Sequence, residues 1–232
     1  MVIAANQPYF IPYLAYWQLI DAADCFLIGD DYAFIKQGWI TRNRILLNGA
    51  PFVYRLEVKG KSSFRNINEI ELLPIKVVPM LKTIEMAYKR APFFQNGFTL
   101  IESILGFSEL NLAAFLTNSI LLVCDYLGIN TQIGFTSSIP GNSSFQLEKR
   151  IFDFCTKLGA DTYINAIGGK SLYSFQDFSE HEIQLRFLDS FHPTYKQFGN
   201  SFVGQLSILD AIMFNSREEL HTMLKQYAFI DE

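Results

Sequence analysis

Cysteine, histidine and charge are all scarce in this 232-residue sequence. Its three cysteines, Cys25, Cys124 and Cys155, are odd in number, far apart and set in apolar runs. No Cys-x-x-Cys or Cys/His cluster occurs, so neither a disulfide framework nor a zinc site is expected. Buried thiols in a reducing cytosol are the expectation instead. His181, His192 and His221 are scattered without metal-ligand spacing, and no serine sits in a Gly-x-Ser-x-Gly elbow, which argues against a catalytic triad. The first basic residue is Lys36, so the start does not read as a signal peptide. The most apolar long stretch, residues 111–129, carries Thr117, Asn118, Ser119 and Asp125, a poor composition for a membrane span. A soluble, cytoplasmic protein follows, with no metal or redox cofactor implied.

Apolar residues make up 50% of the chain and charged residues only 18%, which excludes disorder. For this length about 70% of the unfolded surface can be buried. The aromatic load, 22 Phe, 11 Tyr and 2 Trp, exceeds what a core needs. Six tyrosines (Tyr9, Tyr13, Tyr16, Tyr163, Tyr173 and Tyr195) lie in or beside the polar motifs below, where rings stack on a sugar or base. Net charge is −4, yet residues 36–90 hold eleven Lys/Arg against Glu57, Glu69, Glu71 and Glu85. A basic segment in an otherwise acidic chain suits a local anionic small molecule better than nucleic acid.

Residues 1–5 form an apolar run closed by Asn6-Gln7-Pro8, predicting a buried strand. Residues 12–23 are helix-compatible and apolar on nearly every side, with Gln18 and Asp21 as the polar strip. Residues 25–29 predict the next strand, closed by Gly29-Asp30-Asp31, and the three elements make a βαβ unit with parallel strands. Asn48-Gly49 predicts a type I′ hairpin between residues 45–47 and 52–58. A strand is expected at 67–72 and helices at 75–90, 98–105 and 109–127. Strands at 131–135, 162–167 and 183–187 and helices at 144–158, 204–215 and 217–227 complete the pattern. The sum is a single α/β domain over residues 1–232, with a mainly parallel, Rossmann-like sheet and a hairpin-plus-helices insertion at about 36–127.

Ligands of open parallel sheets bind beyond the carboxyl ends of the strands. Three polar clusters fall there: Asn6, Gln7 and Tyr9 with Tyr16; Asp30-Asp31; and Gly168, Gly169, Lys170 and Tyr173. Amides donate and accept, so Asn6 and Gln7 suit orienting a polar group, and Asp30 is the candidate general base. Gly168-Gly169 lets backbone N–H groups approach an anion and Lys170 adds charge, although the same residues also make a plain turn. Residues 36–44 are the densest donor cluster. Arg42 and Arg44 share a strand face, with Asn43 opposite. Arg42 and Asn43 are candidates for an anionic group, and pairing of an arginine with Asp30 or Asp31 is the structural alternative. His192, Tyr195 and Gln197 lie in one polar-aromatic stretch. Asp210 lies on an apolar helix and either anchors loops or faces the pocket.

These motifs resemble the WbqC-like family over nearly the whole chain. The family's His-Gln-Pro-x-Tyr-x-Pro-x-x-Gly-Tyr stretch reads here Asn6-Gln7-Pro8-Tyr9-Phe10-Ile11-Pro12-Tyr13-Leu14-Ala15-Tyr16. Its Lys-Gln-x-aromatic and Arg-Asn stretch matches Lys36-Gln37-Gly38-Trp39 and Arg42-Asn43. Its later glycine-lysine loop, His-Pro-x-Tyr-x-Gln stretch and Leu-Ser-Ile-x-Asp helix match Ala166–Tyr173, His192–Gln197 and Leu206–Asp210. Two positions depart: Asn6 replaces the family's histidine and Ala15 its glycine. Asparagine takes up no proton near neutral pH. The resemblance implies a transferase, of aminoacyl, acyl or nucleotidyl type, acting on a sugar- or nucleotide-linked substrate in bacterial surface-polysaccharide (O-antigen) biosynthesis. A non-catalytic binding protein for a small molecule or glycan precursor is the alternative. The opening strand-helix-strand is also distantly similar to HIGH-type nucleotidyltransferases, although Pro12-Tyr13-Leu14-Ala15-Tyr16 supplies no histidine there.

Overall fold

The computed structural model describes residues 1–199 and 201–231. The chain runs β1 (Val2–Asn6), α1 (Leu14–Asp21), β2 (Cys25–Ile28), then the hairpin β3 (Arg42–Leu47) and β4 (Ala50–Arg55). A two-residue ladder, β5 (Val58–Lys59) with β6 (Glu71–Leu72), precedes helices α2 (Val77–Tyr88), α3 (Phe94–Leu105) and α4 (Leu112–Leu127). β7 (Gln132–Phe135), α5 (Glu148–Leu158), β8 (Thr162–Ala166), α6 (Phe175–Glu180) and β9 (Gln184–Ser190) follow. α7 (Ile208–Phe214), α8 (Arg217–Leu224) and β10 (Tyr227–Ile230) close the chain.

Six strands form one sheet in the order β10-β9-β8-β1-β2-β7. Every pairing is parallel except β10 with β9. Both faces are buried, as parallel sheets require. Ala4, Phe26, Ile28, Ile164 and Leu188 face the larger core with α1, while Ile3, Ala5, Leu27, Tyr163, Leu185 and Phe187 face a second core with residues of α5 and α6. All three cysteines are buried. The chain leaves β1 for β2 and β7 on one side, then returns to place β8 and β9 on the other. The order therefore reverses between β1 and β8, and a crevice opens there at the strands' carboxyl ends.

The local signals that carried furthest are turns. Asn48 and Gly49 both adopt positive φ, 53° and 77°, as the type I′ turn requires. Several expectations need correction. The polar strip of α1 is partly buried: Gln18 is fully buried, and its Nε2 donates to the carbonyls of Met223 (2.8 Å) and Gln226 (3.1 Å), tying α1 to the end of α8. Residues 67–69 form a 3-10 turn rather than strand, because Asn66 and Glu69 make a capping box. Residues 167–172 form a 3-10 turn, in line with the plain-turn reading of Gly168-Gly169. Residues 204–207 precede α7, whose N-cap Ser207 accepts from the Leu209 N–H. The chain leaves helix after Leu224, and residues 227–230 add an antiparallel edge strand. Among the described residues, no helix is long and apolar enough to cross a membrane.

Candidate functional site

The crevice between β1 and β8 holds a cavity of about 290 Å³. Tyr9, Pro12 and Tyr13 enter it from the β1–α1 connection, and Ile167 and Gly168 from the turn after β8. Trp39, Asn43 and Arg44 reach in from the insertion, and His192 and Gln205 from the connection between β9 and α7. A second cavity of about 220 Å³ adjoins it, sharing Tyr13, His192 and Gln205.

Asn43 is the latch of this arrangement. It is buried, and its Nδ2 donates to the carbonyls of Phe10 (3.1 Å) and Ile11 (2.7 Å). Its Oδ1 accepts from the Arg44 N–H at 2.8 Å. Ser207 clamps the same loop, its Oγ donating to the Ile11 carbonyl at 2.7 Å while its N–H donates to the Arg44 carbonyl at 2.8 Å. The Ile208 N–H donates to the Pro12 carbonyl at 2.9 Å. Ile11 is thereby held at φ 44°, which is costly for a β-branched residue, about 1–2 kcal/mol. His192 (φ 47°) and Gln205 (φ 55°) are also left-handed. Two of these left-handed non-glycine residues, His192 and Gln205, line the cavity, and Ile11 lies next to its lining residue Pro12; such strain clusters at ligand sites.

The charge in the cavity is Arg44. Its guanidinium lies over the Trp39 ring, 5.1 Å from the centroid, and Arg42 lies 5.3 Å from the same ring. One Nη of Arg44 donates to the Gln205 carbonyl at 2.9 Å. Its Nε–H is shielded from solvent and has no hydrogen-bond partner among the described residues. Buried donors are nearly always paired, so an unpaired one beside a cavity calls for an acceptor. Burial, with the neighbouring Tyr13, raises the Tyr9 phenol above its ordinary range; burial alone raises Tyr13. Tyr16 is raised well above by burial, with Tyr9 and Cys124 adding to it. All three therefore remain neutral hydrogen-bonding groups. Among the described residues, no group of three His, Cys, Asp or Glu is placed to hold a metal ion.

Of the candidate site residues read from the sequence, Tyr9, Asn43, Gly168 and His192 line the cavity, together with Tyr13, Trp39 and Arg44 from the same motifs; the other candidates do not. Asn6 turns its Oδ1 back onto the Gln7 N–H at 2.8 Å, and Gln7 donates to the Ala33 carbonyl at 3.0 Å. Tyr16 is buried beneath, donating to the Gln7 carbonyl at 3.0 Å. Arg42 ties its own loop together through the carbonyls of Gln37 and Gly38. Asp30 accepts from the Ser137 hydroxyl (2.6 Å) and N–H (3.2 Å), and Asp31 pairs with Arg150. Neither carboxylate meets Arg42 or Arg44. Gly169 packs on Asn165, Lys170 is exposed, and Tyr173 stacks edge-on against Tyr163 and Phe178. Asp210 is fully buried, its carboxylate accepting from Tyr88, Tyr195 and Gln197, each at 2.7 Å. Tyr195 lines the adjoining cavity, while Gln197 braces Val203. Trp39 and Arg44 belong to the donor cluster read from the sequence; Gln205 left no sequence signal.

The family model for the WbqC-like protein family matches residues 7–222. An uncharacterized protein of Mycobacterium tuberculosis is 26% identical over 229 residues, covering 96% of this chain and 97% of its own. No solved structure matches.

Proposed function

The chain belongs to the WbqC-like protein family, and from that premise we infer that it binds an anionic sugar- or nucleotide-linked small molecule in the cavity between β1 and β8 and transfers a group from it. The unpaired, shielded Nε–H of half-buried Arg44 carries this reading. A guanidinium holds phosphate or carboxylate through two parallel hydrogen bonds, and a partly dry site strengthens them. Trp39, Tyr9 and Tyr13 supply faces on which a sugar or base stacks. His192 borders both cavities and is the side chain best placed to relay a proton between donor and acceptor groups. On this reading Arg44 supplies the charge that histidines supply in HIGH-type nucleotidyltransferases, and Asn6, Gln7, Asp30 and Asp210 build the frame. A cytoplasmic location and a place in surface-polysaccharide biosynthesis belong to the same proposal.

A binding protein without catalysis is the second reading. It is favoured by Asn6, which stands in the histidine position and spends its side chain on the Gln7 N–H. Thermal stabilisation against nucleotides, nucleotide sugars and aminoacyl donors tests the common premise. A saturable shift that disappears in Arg44→Ala supports the site; no shift with any of them overturns it. Incubating the stabilising ligand with candidate acceptors then separates the two readings by whether a product forms.

A further inference from the structure

A groove of about 470 Å³, larger than the cavity at the strand ends, runs between the β3–β4 hairpin and α2. Its floor is buried and apolar, formed by Ile45, Leu56 and Ile84 with Tyr54. Phe52, Val53 and Leu73 line it while 42%, 39% and 43% exposed. Pro79 and Met80 complete the wall on α2. The two cations that line it, Arg55 and Lys76, are exposed and make no ion pair among the described residues. The one acid lining it, Glu57, is paired with Lys61 at 3.6 Å.

We propose that this groove takes the alkyl chain of a single-chain anionic amphiphile, with Arg55 and Lys76 holding its head group. An apolar trough of this size with a few polar groups is the usual form of a small-molecule site. The unpaired cations set the sign of the head group by charge complementarity, within a segment that carries seven more basic than acidic residues between positions 36 and 90. That same excess repels a second copy of the segment. Strand addition to β4 is disfavoured because Pro51 removes an N–H from it. The site is independent of Arg44 and of the transfer reaction.

Isothermal titration of the full chain with dodecyl phosphate, kept below its micelle concentration, tests the proposal. The expected result is one saturable site, absent with inorganic phosphate and weaker with dodecyl maltoside, which has the same chain and a neutral head. Replacing Arg55 and Lys76 together by alanine, at exposed positions that leave the core untouched, weakens dodecyl phosphate by about tenfold or more. Met80→Glu abolishes binding by placing a carboxylate in the trough, with circular dichroism checking that the variant is folded. Arg44→Ala changes nothing. The proposal is overturned by a lack of saturable binding, by full affinity in the double variant, or by loss of binding in Arg44→Ala. Sedimentation showing a dimer whose dissociation follows these same variants also overturns it.

Discussion

Arg44 lies over the ring of Trp39 with its guanidinium carbon 5.1 Å from the ring centroid, while its Nε–H has no partner among the described residues. The stacking fixes the guanidinium plane without using its hydrogen bonds. A cation held in place but not neutralised is prepared for an anion, since little is spent on ordering it when ligand arrives.

Arg42 stacks on the same ring but directs its N–H groups at the carbonyls of Gln37 and Gly38. Arg44→Ala should therefore weaken an anionic ligand by about tenfold or more, with a smaller drop in melting temperature than Arg42→Ala, since its guanidinium hydrogen bonds reach Gln205 alone. Arg42→Ala should do the reverse, lowering stability by about 1–3 kcal/mol and affinity by less. Calorimetric titration and thermal melting of both variants check the contrast.

Asn43→Ala leaves the buried carbonyls of Phe10 and Ile11 without their shared donor. The expected loss is about 2–3 kcal/mol, read as a lower urea midpoint with unchanged slope. Binding weakens with it, because the loop carrying Tyr9, Pro12 and Tyr13 then keeps only the Ser207 and Ile208 clamps and relaxes.

Asp30 tests the difference between a strand-end carboxylate and a site carboxylate. Its oxygens are occupied by the Ser137 hydroxyl and N–H. Asp30→Ala should lower stability by about 1–3 kcal/mol and leave ligand affinity where it was. Affinity or turnover collapsing at unchanged stability would instead give Asp30 the chemical role of general base.

Burial raises the carboxyl of Asp210 above its ordinary value of 3.8, and hydrogen bonds from Tyr88, Tyr195 and Gln197 only partly offset this. A carboxyl raised by folding favours the folded state when protonated. Its contribution is fully present below the unfolded value and is lost as pH rises through the folded one. The stability of the wild-type chain relative to Asp210→Asn should thus increase as pH falls from neutral into the acid range. Urea titrations of both proteins across that range measure it, and a flat or opposite difference would contradict the shift.

The central βαβ unit and the hairpin were legible because their signals are local. Apolar runs bounded by Asn6-Gln7-Pro8 and by Gly29-Asp30-Asp31 mark β1 and β2, and Asn48-Gly49 marks the turn. The cavity was less legible because it is built by distant segments. Gln205 enters from a long connection without periodicity, and nothing in residues 36–44 alone tells which arginine keeps a free N–H. A polar residue on an apolar helix needs partners, so the sequence leaves Asp210 either anchoring loops or facing the pocket; it anchors them. Its partner Tyr88 lies 122 residues away, beyond the reach of any pattern. The helix expected over 217–227 ends at Leu224, and only pairing with β9 makes residues 227–230 a strand.

Trp39 makes the central claim directly measurable, since the chain has only two tryptophans and the other, Trp17, is fully buried. Titrating the ligand selected by thermal stabilisation should change the intrinsic fluorescence saturably, with the same midpoint, in the wild-type chain. In Trp39→Phe that change should vanish. A fluorescence change that persists in Trp39→Phe, or stabilisation with no change in Trp39 emission, would place the ligand elsewhere and contradict a binding site between β1 and β8.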